Sequence, residues 1–352
     1  MKKSISLNGA LGVPVATVLL AACNGASYAP SPLAQTPLTQ APAMQILDSS
    51  PRGSTSGGSF ESRQPRGSGP DLKYPGGNIY VTDAGNHAVK EILKASGYKT
   101  VISLSNAINQ PGGIALDAHA NLYVGGESDN NVYEIQKAGR YSRVRMLGSG
   151  FCFPYSAALD AKGDVFVGDS CNHAIKELLA VNGRIPKSPT ILSLGSGFSY
   201  PTYVALDGSG NVFVSDTSAP AGNSHVREIV AASGYTTVNT LGGGFVFNNT
   251  QGIALDASDN VYVADSSNGA VYEIPAAGGY SSVNTLASGL NGPSGLAVDA
   301  YDNVYYTPYS GSTVDELLAA SGYTTSKALG SGFLGPHGIA LQYPALQIDI
   351  KR

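Results

Sequence analysis

The sequence predicts an all-β protein, a six-bladed β-propeller whose ring is closed by the C-terminal inner strand. Three observations point to this fold class. Residues 260–274, NVYVADSSNGAVYEI, have close copies beginning at five other positions, the six copies begin 43 to 49 residues apart, and only 13% of the 352 residues are charged while 44 are glycine. Repeats of this length are typical of propellers and solenoids, and this composition favours short strands joined by turns.

The chain begins with the features of an export signal. Lys2 and Lys3 precede an apolar run over residues 11–22, which is too short to span a bilayer. The run ends in Leu-Ala-Ala-Cys at Cys23, which resembles the lipobox of bacterial lipoproteins. We therefore expect a signal peptide at 1–22 and a lipid on Cys23. The alternative is ordinary cleavage after Ala29, which would leave a soluble protein.

The next segment, residues 23–76, is rich in Pro, Ser, Gly and Ala and has no sustained apolar period, so it predicts a flexible tether. By resemblance to enterobacterial sorting, Asn24 after the lipidated cysteine indicates the outer membrane. We expect a membrane-anchored lipoprotein there, facing the periplasm or the cell surface.

Each repeat contains four strand-like segments, with a middle strand that is apolar on both faces. In the copy at 260–274, Val261 and Val263 point to one side while Tyr262 and Ala264 point to the other. A sheet with two apolar faces has to be covered on both. Radial packing of four-stranded blades, each sandwiched between two others, provides that cover.

The repeats begin and end out of step, which indicates how the ring closes. The first middle strand, residues 77–83, is preceded only by a poor match to an inner strand at residues 71–75, whereas the last inner strand, residues 338–341, has no middle strand after it. The sequence therefore predicts that the C-terminal strand completes the first blade of a propeller over residues 77–342. Residues 343–352 are a tail without an assigned place.

Two copies carry a recognisable motif. YVTDAGNHAVKEI from Tyr80 and FVGDSCNHAIKEL from Phe166 resemble the NHL repeat, although Ala replaces the third letter of Asn-His-Leu. The resemblance implies a six-bladed propeller of the kind found in bacterial sensor ectodomains, RNA-binding regulators and peptide-amidating lyases. The net charge of −4 and the absence of a basic run disfavour nucleic acid as a partner.

Some polar residues recur at a fixed place in the repeat, so we interpret them as architecture rather than as a site. An aspartate ends the middle strand of four copies, at Asp83, Asp169, Asp216 and Asp265. We expect each to bond the backbone of the following turn.

His337 differs because it precedes an inner strand in a Pro-His context, where the lyases place zinc-ligating histidines. The equivalent positions in the six copies hold Gly112, Tyr155, Thr202, Gln251, Ser294 and His337. One histidine cannot form a three-ligand zinc site, and Ser170 stands where those lyases use a tyrosine. We expect no metal, no cofactor and no catalytic residue.

Cys152 and Cys171 match cysteines of the same lyases. In a propeller the link into an inner strand and the turn after the middle strand emerge on the same face, and these cysteines lie in that link and that turn of one blade. An exported protein meets an oxidising compartment. We therefore predict a disulfide between them.

The links into the inner strands converge at one end of the central channel, where the six copies differ most. We predict a ligand-binding site there formed by Tyr155, Thr202, Gln251 and His337, which suits a small polar ligand or a peptide end. The alternative is that these loops diverged in sequence without acquiring a binding role. The sequence favours a monomeric, lipid-anchored binding or scaffold module at the cell envelope, with an unknown protein or small ligand as partner. The competing interpretation is an axial-pocket enzyme of the amidating-lyase or lactonase type.

Overall fold

The computed structural model describes residues 77–218 and 222–342, which form a six-bladed β-propeller. The predicted signal peptide 1–22, Cys23, the tether 23–76 and the tail 343–352 lie outside the described residues. Each blade is an antiparallel sheet of four strands. Within the described residues, no helix has the length and apolar character needed to cross a membrane.

The blades contain, from the channel outward, the following strands. Blade 1 consists of β24 (Pro336–Leu341), β1 (Ile79–Asp83), β2 (Ala88–Ile92) and β3 (Val101–Ser105). Blade 2 consists of β4 (Pro111–Leu116), β5 (Leu122–Gly126), β6 (Asn131–Gln136) and β7 (Arg143–Leu147). Blade 3 consists of β8 (Pro154–Leu159), β9 (Val165–Asp169), β10 (Ala174–Leu178) and β11 (Ile191–Leu194).

The second half of the ring follows the same plan. Blade 4 consists of β12 (Pro201–Leu206), β13 (Val212–Asp216), β14 (His225–Ile229) and β15 (Val238–Thr240). Blade 5 consists of β16 (Thr250–Leu255), β17 (Val261–Asp265), β18 (Ala270–Ile274) and β19 (Asn284–Ala287). Blade 6 consists of β20 (Pro293–Val298), β21 (Val304–Pro308), β22 (Val314–Leu317) and β23 (Ser326–Leu329). Single 3-10 turns occupy Ala84–Asn86, Lys94–Ser96, Ser170–Asn172, Ala231–Ser233 and Ala319–Ser321.

Ring closure occurs as the sequence predicted. The C-terminal β24 pairs antiparallel with β1, with Ile79 opposite Leu341 and Val81 opposite Ile339. The pairing continues beyond the strands, because the Asn78 carbonyl accepts a hydrogen bond of 3.0 Å from the Gln342 amide. The first and last described segments thus share one blade, and the inner edge of β1 is covered.

The core lies between the blades, because each middle strand is buried on both faces. Val81 of β1 packs with Tyr305 and Val314 of blade 6, while Tyr80 packs with Leu122 and Val124 of blade 2. Burying a large apolar side chain contributes about 1.5–3 kcal/mol. All five residues of every middle strand are buried, so the interblade packing is a large part of the folding free energy.

Small residues let neighbouring inner strands approach each other closely at the channel. A Cβ added to Gly295 would lie 2.1 Å from the His337 carbonyl oxygen, and one added to Gly338 would lie 2.7 Å from the Cα of Gly113. The same place in blade 4 holds Tyr203. Blade 4 therefore sends a large ring into the channel at a level where four other blades have glycine.

Cys152 and Cys171 form the predicted disulfide. Their Cα atoms are 5.3 Å apart, and the Cys171 amide also donates a hydrogen bond of 3.2 Å to the Cys152 carbonyl. The bridge joins the link that enters β8 to the 3-10 turn that follows β9. It therefore fixes two loops at the end of blade 3 where the inner strands begin.

Deleting residues 335–352 tests how much the closing strand contributes. The deletion removes β24, uncovers the inner edge of β1 and exposes apolar residues that pack on Ile339. We expect aggregation, or a melting temperature lower by about 10 °C or more. Deleting only residues 343–352 is the matched control and should melt within about 2 °C of the full chain. Equal melting of both truncated proteins would show that β24 does not close the ring.

Candidate functional site

The starts of the inner strands and the ends of the middle strands lie at the same end of the channel, because each inner strand is antiparallel to the middle strand of its blade. We call this end the axial mouth. It is defined by the second residue of each inner strand, namely Gly112, Tyr155, Thr202, Gln251, Ser294 and His337.

Two tyrosine rings stack nearly parallel to the His337 imidazole. The Tyr155 ring has its centroid 6.1 Å away and its plane tilted by 9°, and the Tyr309 ring has its centroid 5.3 Å away and its plane tilted by 18°. Tyr155 also meets the Tyr203 ring at 5.2 Å. Three of these rings are largely buried, whereas Tyr309 is 55% exposed. Blades 1, 3, 4 and 6 thereby form one aromatic group at the axial mouth.

A carboxylate from blade 2 completes this group. The Nδ1 of His337 lies 3.1 Å from Oε1 of Glu127, and both side chains are nearly buried. Glu127 directly follows β5, and its carboxylate occupies the space in front of Gly112, where an added Cβ would be 2.8 Å from Oε1. The glycine at position 112 therefore gives Glu127 access to the axial mouth.

Tyr203 crosses the channel below this level. Its ring starts on blade 4, lies 3.1 Å from the Cβ that Gly113 of blade 2 would carry, and directs its hydroxyl toward Ser294 of blade 6. Burial raises the pKa of Tyr203 well above its ordinary value, an effect that the neighbouring Ser294 hydroxyl partly offsets. Neither hydroxyl meets hydrogen-bond geometry with a described residue. The ring closes the channel and forms the floor of the axial mouth.

The predicted residues Gln251 and Thr202 have different surroundings. The Gln251 amide nitrogen donates a hydrogen bond of 2.9 Å to Oδ1 of Asn249, while its Oε1 is buried without a partner among the described residues. Thr202 is buried, and its hydroxyl donates to the Ser215 carbonyl of its own blade at 3.1 Å. Thr202 thus bonds within blade 4, and the next residue, Tyr203, takes the place in the channel.

Of the predicted residues, the structure brings Tyr155 and His337 together, and it adds Glu127, Tyr203 and Tyr309, which the sequence interpretation did not name. A signal for two of the missed residues was present. The residue after the middle strand is small in four blades, and Glu127 and Tyr309 stand at that position in the other two. The same two blades have Gly126 and Pro308 in place of the recurring aspartate.

The recurring aspartates hold the links into the inner strands. Asp83 accepts a hydrogen bond of 2.7 Å from the Leu334 amide and pairs with Lys90. Asp216 likewise accepts bonds from two amides of its link and pairs with Arg227. In the following turn, Asp83 and Asp169 accept a bond from an asparagine side chain rather than from the expected backbone amide. Asp265 accepts bonds from both the amide and the side chain of Asn268. Their partners account for them as architecture.

The motif histidines also have structural partners. His87 Nδ1 accepts a hydrogen bond of 3.2 Å from the Gln110 amide, and His173 Nδ1 contacts the Ser199 carbonyl. Each contact joins a turn of one blade to the link of the next. Among the residues that the structure describes, no group of three or more His, Cys, Asp or Glu side chains could hold a metal ion.

The axial mouth thus contains buried polar atoms that lack partners within the described residues: Tyr203 Oη, Gln251 Oε1 and Ser294 Oγ. Buried polar atoms are nearly always hydrogen-bonded, and leaving one unbonded costs about 1–3 kcal/mol. The hydroxyls of Tyr203 and Ser294 face each other, and Gln251 belongs to blade 5, which lies between their two blades. A separate open groove of about 490 Å³ lies on the outer rim between β19 and blade 6, lined by residues such as Leu286 and Tyr323.

No protein-family model and no curated protein matches this sequence. Solved structures are similar in fold. A chain of the nidogen/laminin complex has a TM-score of 0.63 at 16% identity and covers 75% of this chain and 97% of its own length. A streptogramin B lyase has a TM-score of 0.53 at 10% identity, covering 76% and 88%. The calcium-binding protein regucalcin from Agrobacterium tumefaciens has a TM-score of 0.50 at 12% identity, covering 63% and 74%. Identities this low establish the propeller fold and nothing further.

The lack of partners for the Tyr203 hydroxyl can be tested with Tyr305 as a matched control. Both tyrosines are buried, but the Tyr305 hydroxyl bonds Glu316 at 2.8 Å and Asp299 at 3.2 Å. In chemical denaturation we expect Tyr305→Phe to lower the free energy of unfolding by about 1–3 kcal/mol. Tyr203→Phe should leave it unchanged or raise it by up to about 1–3 kcal/mol, because no protein hydrogen bond is lost and a buried hydroxyl without a partner is removed. An equal loss in both variants would contradict this description of the channel.

Proposed function

We propose that this propeller is a binding module whose axial mouth takes a small polar ligand or a peptide end. The observation that carries the proposal is the presence of unlike residues at one end of the channel. Glu127, Tyr155, Gln251, Tyr309 and His337 come from five blades, and each departs from what the other blades have at its position. Polar atoms without partners lie among aromatic faces, which is the composition of a specific pocket.

The second part of the proposal is location. We propose export with a lipid on Cys23, followed by the tether 23–76 that carries the propeller away from the membrane. The signal-like residues 1–22 and the lipobox-like Leu-Ala-Ala-Cys support this. The disulfide supports it independently, because structural disulfides persist in oxidising compartments and are rare in the cytosol.

A second candidate function is an enzyme that uses the axial mouth. The Glu127–His337 pair favours it, because a carboxylate that orients a histidine is a common arrangement for a general base. Propellers of similar fold include both a lyase and a partner in a protein complex, so fold alone does not decide between the two. We favour binding because no hydroxyl or thiol nucleophile is hydrogen-bonded to His337 within the described residues.

A thermal-shift screen with small amines, carboxylates, sugars and nucleosides tests the binding function. A ligand at ten times its Kd stabilises the folded state by about 1.4 kcal/mol, so at least one compound class should raise the melting temperature by several degrees. Three variants should each lower the affinity for that compound at least about tenfold, since each removes one contact: Gln251→Ala, His337→Gln and Tyr309→Ala.

Tyr301→Ala is the matched control for Tyr309→Ala. Tyr301 is 48% exposed and lies in the turn between β20 and β21, at the opposite end of the propeller. Its loss should leave binding unchanged. Tyr155→Ala is less informative because Tyr155 packs in the core around Tyr203 and its truncation would also destabilise the fold. Binding that survives all three mouth variants would place the site elsewhere, with the rim groove as the next region to test.

Fractionation tests the proposed location. The wild-type chain should sediment with membranes, because several acyl chains on one residue hold a protein stably. Cys23→Ser should move it to the soluble fraction. The double variant Cys152→Ser, Cys171→Ser is the control and should stay with the membranes. A Cys23→Ser protein that remains membrane-bound would rule out the lipid anchor.

A further inference from the structure

The polar groups of the axial mouth are predominantly hydrogen-bond acceptors. Gln251 Oε1 can only accept, and its amide nitrogen already bonds Asn249. Oε1 of Glu127 faces His337, and no hydrogen bond from a described residue reaches its Oε2. The hydroxyls of Tyr203 and Ser294 can donate or accept. A group that supplies several donors would satisfy this set best.

The charge of the axial mouth is negative. Lys90, Lys176 and Arg227 approach this end of the propeller from β2, β10 and β14, but each pairs with the aspartate of its own blade. Among the described residues, the ion-pair partner of Glu127 is the imidazole of His337. The contact between His337 Nδ1 and Oε1 fixes the position of the carboxylate.

Aromatic faces form the walls around this charge. Tyr155 and Tyr309 both stack on His337, and Tyr203 packs against Tyr155. The face of an aromatic ring is electron-rich and attracts cations, and the attraction grows when the cation is desolvated. The aromatic walls and the Glu127 carboxylate thus both favour a positively charged ligand.

We infer that the axial mouth binds a primary ammonium group. An ammonium supplies up to three N–H donors and one positive charge, which match the acceptors, the Glu127 carboxylate and the ring faces. A quaternary ammonium would leave the Gln251 oxygen unbonded, and an anion would meet Glu127. This inference rests on the proposed binding function and names the chemical class of its ligand.

Calorimetry with three primary amines tests the inference and distinguishes their sources. Putrescine represents polyamines, glucosamine represents amino sugars, and glycinamide represents a peptide N-terminus. Each is compared with its fully N-acetylated form, which for putrescine is the N,N′-diacetyl compound. We expect at least one amine to bind and its acetylated form to bind at least about tenfold more weakly, because acetylation removes the charge and two donors. Tetramethylammonium should also bind more weakly than the best amine.

Two pairs of variants locate the cation. Glu127→Gln keeps the shape of the side chain but removes the charge, and it should lower the affinity for the amine about tenfold or more. Glu228→Gln is its control, because Glu228 bonds Asn239 on an outer strand. Tyr309→Leu removes an exposed ring face and should weaken binding, whereas Tyr309→Phe keeps the face and should not. The exposed Tyr309 pair stays informative if Glu127→Gln fails to fold.

Failure of this inference can be told from failure of the binding function. If a neutral or anionic compound binds, is lost in Gln251→Ala and is retained in Glu127→Gln, the ammonium inference is overturned and the binding function stands. Amine binding that is unchanged in Tyr309→Leu and Glu127→Gln overturns the inference as well. If neither the amines nor the screened compounds bind at the axial mouth, both are overturned.

Discussion

The structure depends on one constraint, that every middle strand is apolar on both faces. Val81 and Tyr80 are successive residues, yet each is covered by a different neighbouring blade. No blade can bury its own faces, so the sheets stabilise one another only as a complete ring. Pairing of β24 with β1 within blade 1 is therefore the contact that lets the interblade contacts persist.

This constraint also explains which parts of the prediction succeeded. The two-faced strands and their period define blades, and the mismatch between the first and last repeat defines closure, because both are properties of the backbone pairing that the sequence pattern carries directly. The disulfide followed from the same reasoning, since a propeller brings the two loops that contain Cys152 and Cys171 to one face. The location of Cys23 and of its flanking segments remains a prediction.

The site was only partly predictable, because the direction of a side chain at a strand start depends on local register. Each inner strand shifts its pairing with the middle strand near its beginning, between Pro201 and Val204 in blade 4 for example. There Thr202 bonds its own blade and Tyr203 enters the channel. By its position in the repeat, Thr202 should face the axial mouth as His337 does. The shifted backbone and the space left by glycines in neighbouring blades instead turn Thr202 toward its own blade.

We call the recurring aspartate that bonds the amide of the link the aspartate clamp. Its presence or absence explains why Glu127 and Tyr309 come from blades 2 and 6. Where the clamp is present, as at Asp83, its carboxylate is occupied by the link amide and a lysine, and the next residue is small. Blades 2 and 6 lack it. In blade 2, Asp129 takes over by accepting a bond of 3.0 Å from the Asn109 amide, so the link stays in place while Glu127 reaches His337. In blade 6 the Tyr309 amide bonds the Gly292 carbonyl at 2.8 Å, and its ring stacks on the same histidine.

Loss of a structural carboxylate and gain of a long side chain toward the mouth thus occur together in the two blades that flank blade 1. A purely architectural role gives no reason for that coincidence, whereas a binding site centred on His337 requires groups from both sides.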